Sequence, residues 1–407
     1  MQIVDTLVIG AGPSGSLCSA LLHKQGIEVV VVEQALFPRF SIGESLLPQS
    51  MVFLENAGMM EAVINGDFQL KNGAVFNYRE QDNSFDFSQK FTAGPETTFQ
   101  VKRADFDKRL ADCTASMGVD IRYQQEVIQI EKTPQHHLVT IRDKDSVTYK
   151  IGARFILDAS GFGRVLPKLF NLEIPSNFPV RHSIFSHVED RITDKQYDRE
   201  KIVICVHPNN SDVWYWLIPF SDGTASVGIV AEPDFFEKYS GSHKSVIKKC
   251  IAEQALLQSL LKNARFTSEV RKIKGYSVNV KSLFGDRYAL LGNAGEFLDP
   301  IFSSGVTIAL KSADLAANVL IRQSRGEDIC WQRDYAIPLK KGIDTFKAFV
   351  ESWYDGELQD VVLYKDNATS VKEMICSILA GYAWDEKNSY VSKTKRRLKI
   401  LAEICRS

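Results

Sequence analysis

Gly10-Ala11-Gly12-Pro13-Ser14-Gly15 is the stretch that most limits what this chain can fold into. Glycines at this spacing serve a backbone that must turn sharply and let something approach it closely. Residues 3–9, Ile-Val-Asp-Thr-Leu-Val-Ile, form a short β-branched run that reads as a buried parallel strand. After Gly15 a helical stretch runs to about Gln25, Gly26 stops it, and residues 28–33 supply the next strand, ending in Glu33. The unit is therefore βαβ, with an acid eighteen residues beyond Gly15, which is the context a dinucleotide-binding turn requires. Gly10 permits the turn and Gly12 admits a pyrophosphate to the backbone. Gly15 lets the helix pack close, so that N–H groups around Pro13 and Ser14 face phosphate. Glu33 is placed to accept from ribose hydroxyls, which disfavours a 2′-phosphate. The same residues also read as a glycine-rich turn with no ligand.

Length and composition set outer bounds. At 407 residues the chain exceeds one ordinary core and predicts two domains or one elaborated one. Its 49 Lys plus Arg nearly cancel its 50 Asp plus Glu, so neither nucleic acid nor an anionic membrane is the expected partner. Seven scattered cysteines with no C-x-x-C predict reduced thiols and a cytoplasmic protein, not a disulfide framework. Glycines and a proline interrupt the apolar start, and no other run reads as long enough to span a bilayer. The histidines show no H-x-x-H or H-E-x-x-H spacing, and no metal is expected.

Three further segments extend the nucleotide reading. A strand over residues 287–292 ends at Gly292, and Asn293-Ala294-Gly295-Glu296-Phe297-Leu298-Asp299-Pro300 leads to a helix from about Gly305. Val101-Lys102-Arg103-Ala104-Asp105-Phe106-Asp107 and Leu157-Asp158-Ala159-Ser160-Gly161 complete the set. Together with the first turn these resemble, in order, the cofactor segments of aromatic-hydroxylase-type flavoproteins. The resemblance implies FAD, with Arg103, Asp158, Gly161, Gly292, Asn293, Asp299, Pro300, Gly305 and Val306 near it. Asn293 stands where that type usually has Asp, keeping hydrogen-bonding capacity without charge. No second glycine turn of this kind offers a separate nicotinamide domain.

Residues 214–219 read Trp-Tyr-Trp-Leu-Ile-Pro. Two indoles two residues apart on a strand point to the same face, and Pro219 ends the ladder because it has no N–H to donate. Such a pair can also be plain core. Phe37-Pro38-Arg39-Phe40, Ile42-Gly43-Glu44-Ser45-Leu46-Leu47-Pro48, Phe68-Gln69-Leu70-Lys71-Asn72-Gly73-Ala74 and Phe302-Ser303-Ser304-Gly305 accompany it. This combination resembles the flavin-dependent halogenases over roughly the first 325 residues. It also looks like the flavoproteins of aryl-polyene pigment pathways.

The resemblance implies that reduced FAD, O2 and halide give hypohalous acid, which passes behind the Trp214/Trp216 wall to Lys71. A partly desolvated amine with depressed pKa suits that role, whereas a lysine before a strand is more ordinarily exposed. Arg39 and Ser45 are placed near the cofactor and Glu44 near the flavin, Glu44 reading equally as a salt-bridged structural acid. Ser303, Ser304 and Gly305, ahead of a helix, form a halide site at the positive end of its dipole, or an ordinary N-cap. Tryptophan halogenases carry a carboxylate just before this turn; here the position is Phe302. The implied substrate is therefore an electron-rich phenol or pyrrole, free or carrier-bound, and the implied partner a separate flavin reductase. The alternatives are direct hydroxylation by an FAD monooxygenase, FAD-dependent reduction of a polyene or isoprenoid, and a catalytically silent FAD-binding partner of a biosynthetic complex.

The predicted architecture is an α/β, Rossmann-like FAD-binding domain over residues 1–73, 100–165 and 277–325. It is interleaved with an antiparallel-sheet substrate domain over 74–99 and 166–276 and followed by a helical cap over 326–407. Helical spacing runs from Phe235 to Ala264. In the cap, Phe346, Phe349, Trp353 and Tyr354 share one helix face, Asp355-Gly356 breaks it, and residues 371–384 form another helix. Lys393, Lys395, Arg396, Arg397 and Lys399 give the last helix a basic cluster, either a solvated face or a dock for an acidic carrier protein.

Overall fold

The computed structural model describes residues 1–365 and 369–407. Five parallel strands form the heart of the first sheet, in the order Tyr288–Leu290, Thr148–Asp158, Gln2–Ile9, Val29–Glu33 and Asp120–Tyr123. The hairpin Gln125–Lys132 and His137–Asp143 joins antiparallel to Thr148–Asp158. Residues 29–33, four valines and a glutamate, are wholly buried, as a parallel strand covered on both faces requires.

Register explains why segments far apart in sequence converge. Ile9 lies beside Asp158, and Asp158 beside Leu290, at the carboxyl edge of the sheet. The chain leaves each strand there. Gly10 N donates to Val32 O at 2.8 Å, Ala159 N to Ile9 O at 2.8 Å and Leu291 N to Asp158 O at 2.8 Å, so the three turns form one rim. Ligands of open α/β sheets bind beyond this edge.

The second sheet runs Arg265–Phe266, His182–Glu189, Thr224–Ala231, Asn210–Pro219, Lys201–His207, Gly73–Tyr78 and Gln81–Asp86, with Arg271–Lys274 also on His182–Glu189. It corrects the purely antiparallel expectation, because Gly73–Tyr78 pairs parallel with Lys201–His207. Those two strands are separated by an excursion through the first sheet, so no tight turn forces them to oppose. One face carries Val203, Cys205, Tyr215 and Leu217 under the helices Pro233–Glu237, His243–Glu253 and Ala255–Leu260. The continuous helical stretch expected from Phe235 to Ala264 is thus broken into three, one break falling at extended Gln254. The other face, with Phe76, Ile204, Trp214 and Trp216, joins the main core.

Several boundaries differ by a residue or two. The first helix is Pro13–His23, ending before Gln25, and the strand expected from Glu28 is Val29–Glu33. The strand expected over 287–292 shortens to Tyr288–Leu290, because Arg287 and Gly292 both have positive φ. Ser304–Ser324 is, contrary to the sequence expectation, long and apolar enough by composition to cross a membrane. Here it is mostly buried, packed on Pro13–His23, Gln49–Ala57 and the helix Ile337–Tyr354. That last helix, the cap helix below, stops where Gly356 takes φ 78° and is followed by Glu357–Leu363, Thr369–Leu379 and Thr394–Arg406.

Candidate active site

A cavity of about 740 Å³ lies against the carboxyl rim of the parallel sheet, within the range that cofactor sites occupy. Gly10, Gly12, Pro13, Ser14 and Glu33 line one end. Gly10 sits at φ +100°, and a Cβ on Gly15 would stand 1.9 Å from Gly10 O, so a side chain there would force the helix off the strand. Glu33 accepts from Ala11 N and Ala35 N, both at 2.8 Å, which locks the glycine turn to the end of the second strand.

Arg39 and Arg103 also line the cavity, and both are anchored on Asp107. Arg103 reaches its two oxygens at 2.7 and 3.0 Å, and Arg39 Nη1 donates at 2.9 Å. Asp107 closes the Val101–Asp107 segment, but its anchoring role needed the helix Arg103–Ser116 to place it one turn from Arg103. Asp158 does not face the cavity. It accepts from Ser160 N at 2.9 Å and Leu166 N at 2.7 Å and shapes the lining loop that holds Gly161.

Asn293, Pro300, Ser303, Gly305 and Val306 close the other end, while Gly292, Asp299 and Ser304 stand one layer behind. Buried Arg164, which the sequence reading missed, binds the carbonyls of Asn293 at 3.2 Å and Gly295 at 3.3 Å and so holds this loop. Ser303 has left-handed φ of 55° and caps the helix Ser304–Ser324, whose first N–H groups and positive dipole end open toward the cavity. A non-glycine residue in that region costs about 1 kcal/mol or more, tolerated where the surroundings dictate it.

Trp214 and Trp216 both line the cavity, with ring centroids 5.9 Å apart. Trp216 Nε1 donates to Ser226 Oγ at 3.0 Å and its ring lies across Gly228, where a Cβ would meet it at 2.2 Å. Trp214 Nε1 donates to Tyr354 Oη at 2.9 Å, and Tyr354 Oη donates to Asp299 Oδ2 at 3.0 Å. Asp299 also accepts from Tyr276 at 3.3 Å and from Ile301 N at 3.1 Å. Burial pushes its carboxyl up to about 6, against those hydrogen bonds and the nearby Arg181. The Arg181 guanidinium lies 3.4 Å from the Tyr354 ring centroid. Tyr276 and Arg181 carried no motif that could have marked them.

Lys71 is buried, unlike an ordinary lysine before a strand. It ends the short strand Gln69–Lys71 opposite Thr98 and is 1% exposed. Its Nζ donates to Ser45 Oγ and Leu46 O, both at 2.8 Å, and burial lowers its pKa to about 7. Lys71 itself does not line the cavity; Ser45 does. Glu44, buried beside it, receives a 2.5 Å hydrogen bond from His187 Nε2 through Oε1 and lines the cavity, its Oε2 without a partner among the described residues. Phe302 packs edge-on against Phe349 and Trp353, each 6.0 Å away, and belongs to the cap interface.

A glycine turn locked to an acid, paired arginines, a helix N-terminus and a partnerless acceptor suit a large dinucleotide carrying phosphates and a ring with N–H donors. The FAD binding domain family matches residues 3–328. A flavoprotein/dehydrogenase from Cytophaga hutchinsonii is similar over the whole chain, with a TM-score of 0.96 and 42% identity across 100% of this chain and 99% of that one. The fold is shared with a flavin-dependent brominase, at a TM-score of 0.86 and 23% identity over 100% of both chains. A chlorinase of 1H-pyrrole-2-carbonyl peptidyl-carrier protein from Pseudomonas fluorescens is 25% identical over 86% of this chain and 83% of its own. Tryptophan 2-halogenase from Chondromyces crocatus is 30% identical over 76% of this chain and 60% of its own. The cofactor is FAD, as the sequence led us to expect. The chain belongs to the FAD binding domain family and is an FAD-dependent oxidoreductase similar to the flavin-dependent halogenases.

Proposed function

We propose that this protein halogenates an electron-rich phenolic or pyrrolic ring, free or carrier-bound, with Lys71 receiving the oxidised halogen. When bound and reduced, FAD supplies with O2 the oxidation of halide, giving hypohalous acid, hydroxide and oxidised flavin. Gly10, Gly12, Glu33, Arg39 and Arg103 hold its dinucleotide end, and the Ser303–Gly305 turn offers N–H groups to halide. Trp214 and Trp216 keep the organic ring from the flavin, so only a small oxidant crosses. Ser45 hands it from the cavity to the Lys71 amine, either as a hydrogen-bonded acid or as a haloamine formed with loss of water. A haloamine needs the neutral base, which an amine at about 7 supplies at ordinary pH. Phe302 offers no carboxylate to a cationic ring, so the substrate must supply its own electrons. Two relatives named for carrier-bound pyrrole support a tethered substrate. A separate flavin reductase and a cytoplasmic setting complete the reading.

The observation that carries this reading is the burial of Lys71 against cavity-lining Ser45. The test supplies reduced FAD, O2 and bromide to the wild type and to Lys71→Ala, with a thioether to trap free oxidant and a phenol or pyrrole as acceptor. Trapped oxidant from both, with brominated ring from the wild type alone, is expected. Normal brominated product from the variant overturns the role of Lys71. A second reading, direct hydroxylation on the flavin side, draws support from the tight packing of Phe76, Phe302, Phe349 and Trp353 outside the cavity. Rapid NAD(P)H reduction of bound flavin, faster with substrate, would favour it.

A further inference from the structure

The terminal helix Thr394–Arg406 turns Thr394, Leu398, Leu401 and Ala402 inward, onto the cap helix and Glu357–Leu363. At 3.6 residues per turn, Lys393, Arg396, Arg397, Ile400 and Ile404 fall on the opposite side as one stripe. Ile400 and Ile404 are 46% and 59% exposed, an unusual placement for adjacent isoleucines one turn apart. Around them Lys393, Arg396 and Arg397 have no carboxylate within ion-pair distance among the described residues, whereas Lys395 and Arg406, to the side, are paired with Glu351 and Asp360. The stripe thus has an apolar centre and uncommitted cations, which is the complement of an acidic helical surface bearing a few apolar side chains.

We propose that this stripe docks the acidic carrier protein that brings a thioester-tethered substrate. The inference rests on the carrier-bound form of the proposed function. The terminal helix packs on the cap helix, and the cap helix ends at Tyr354, whose hydroxyl holds Trp214. Packed helices lie about 8–10 Å apart, so two helices, the terminal helix and the cap helix, separate a carrier on the stripe from the wall, a span of about 20 Å for a flexible tether to cross.

The test is a fluorescence-anisotropy titration of the FAD-loaded protein with a labelled, phosphopantetheinylated bacterial acyl-carrier protein. Saturable binding that weakens with salt is expected. Arg396→Glu with Arg397→Glu should weaken it by about tenfold or more, and Ile400→Asp comparably. Lys399→Glu, one charge reversal off the stripe, should change it by no more than about twofold, with unfolding midpoints unaltered throughout. Absent binding by the wild type, or equal binding by the wild type and the double variant, overturns the proposal. So does an effect of Lys399→Glu as large, or a stripe that light scattering shows buried between two copies of the chain. Thioether-trapped oxidant, measured without carrier on the same preparations, reports on halide oxidation separately and should not differ among these variants.

Discussion

The indole N–H of Trp214 donates to the hydroxyl of Tyr354 across 2.9 Å and 140 residues of sequence. A sheet residue facing the cofactor cavity is thereby fixed by the last residue of the cap helix, which is itself held by Asp299 just ahead of the Ser303 turn. Trp214, the cap helix and the Ser303 turn form one hydrogen-bonded unit.

Tyr354→Phe removes the acceptor of Trp214 and a donor to Asp299 without changing volume. Leaving a buried N–H unsatisfied costs ~1–3 kcal/mol. Chemical denaturation should show that loss, and more oxidant should escape to a thioether trap per halogenated ring. Unchanged stability together with unchanged coupling would remove Tyr354 from the wall.

Lys71→Met should stabilise the protein while ending halogenation. In the fold the amine titrates at about 7, below the 10.5 of a free lysine. Between those values the unfolded chain binds more protons, so wild-type stability rises with pH through that window. The variant lacks this slope. Relative to the wild type its stability should be on the order of 5 kcal/mol more favourable below neutrality than at high pH, with most of that difference lost toward pH 10. A gap that stays constant with pH would contradict the burial of a neutral amine.

Gly15→Ala puts a methyl 1.9 Å from Gly10 O, and backbone cannot yield as a flexible side chain would. The variant should purify without FAD, read directly as lost flavin absorbance, if it folds at all. Retention of stoichiometric FAD would refute the close helix–strand approach.

Phe302→Glu tests the missing carboxylate. Among Phe349 and Trp353 the new charge has no partner, and an uncompensated buried charge costs about 3–5 kcal/mol. Its pKa must rise in the fold, so the folded state binds the extra proton and the deficit should shrink as pH falls through the raised value toward about 4. Thermal unfolding at pH 5 and pH 8 decides; an equal deficit at both would mean the side chain reaches solvent.

Trp214 and Trp216 share a face because side chains alternate along any strand, and Gly10 to Gly15 can serve little but a tight turn under a close-packed helix. Those constraints act within a few residues, so the chain alone determined the βαβ unit, the wall and, with the later segments, FAD. What it left open depends on distant packing. Ile9, Asp158 and Leu290 meet only through sheet register. Lys71 read either as a partly desolvated amine or as an exposed lysine before a strand, because nothing in residues 68–74 reveals that Ser45, Leu46 and Phe87 enclose it. Asp158 looked like a cofactor contact, but the fold turns it away from the cavity onto Ser160 N and Leu166 N. Desolvation and hydrogen-bond partnership belong to surroundings assembled from the whole chain, and the tertiary structure decided them for Lys71, Asp158 and Tyr354.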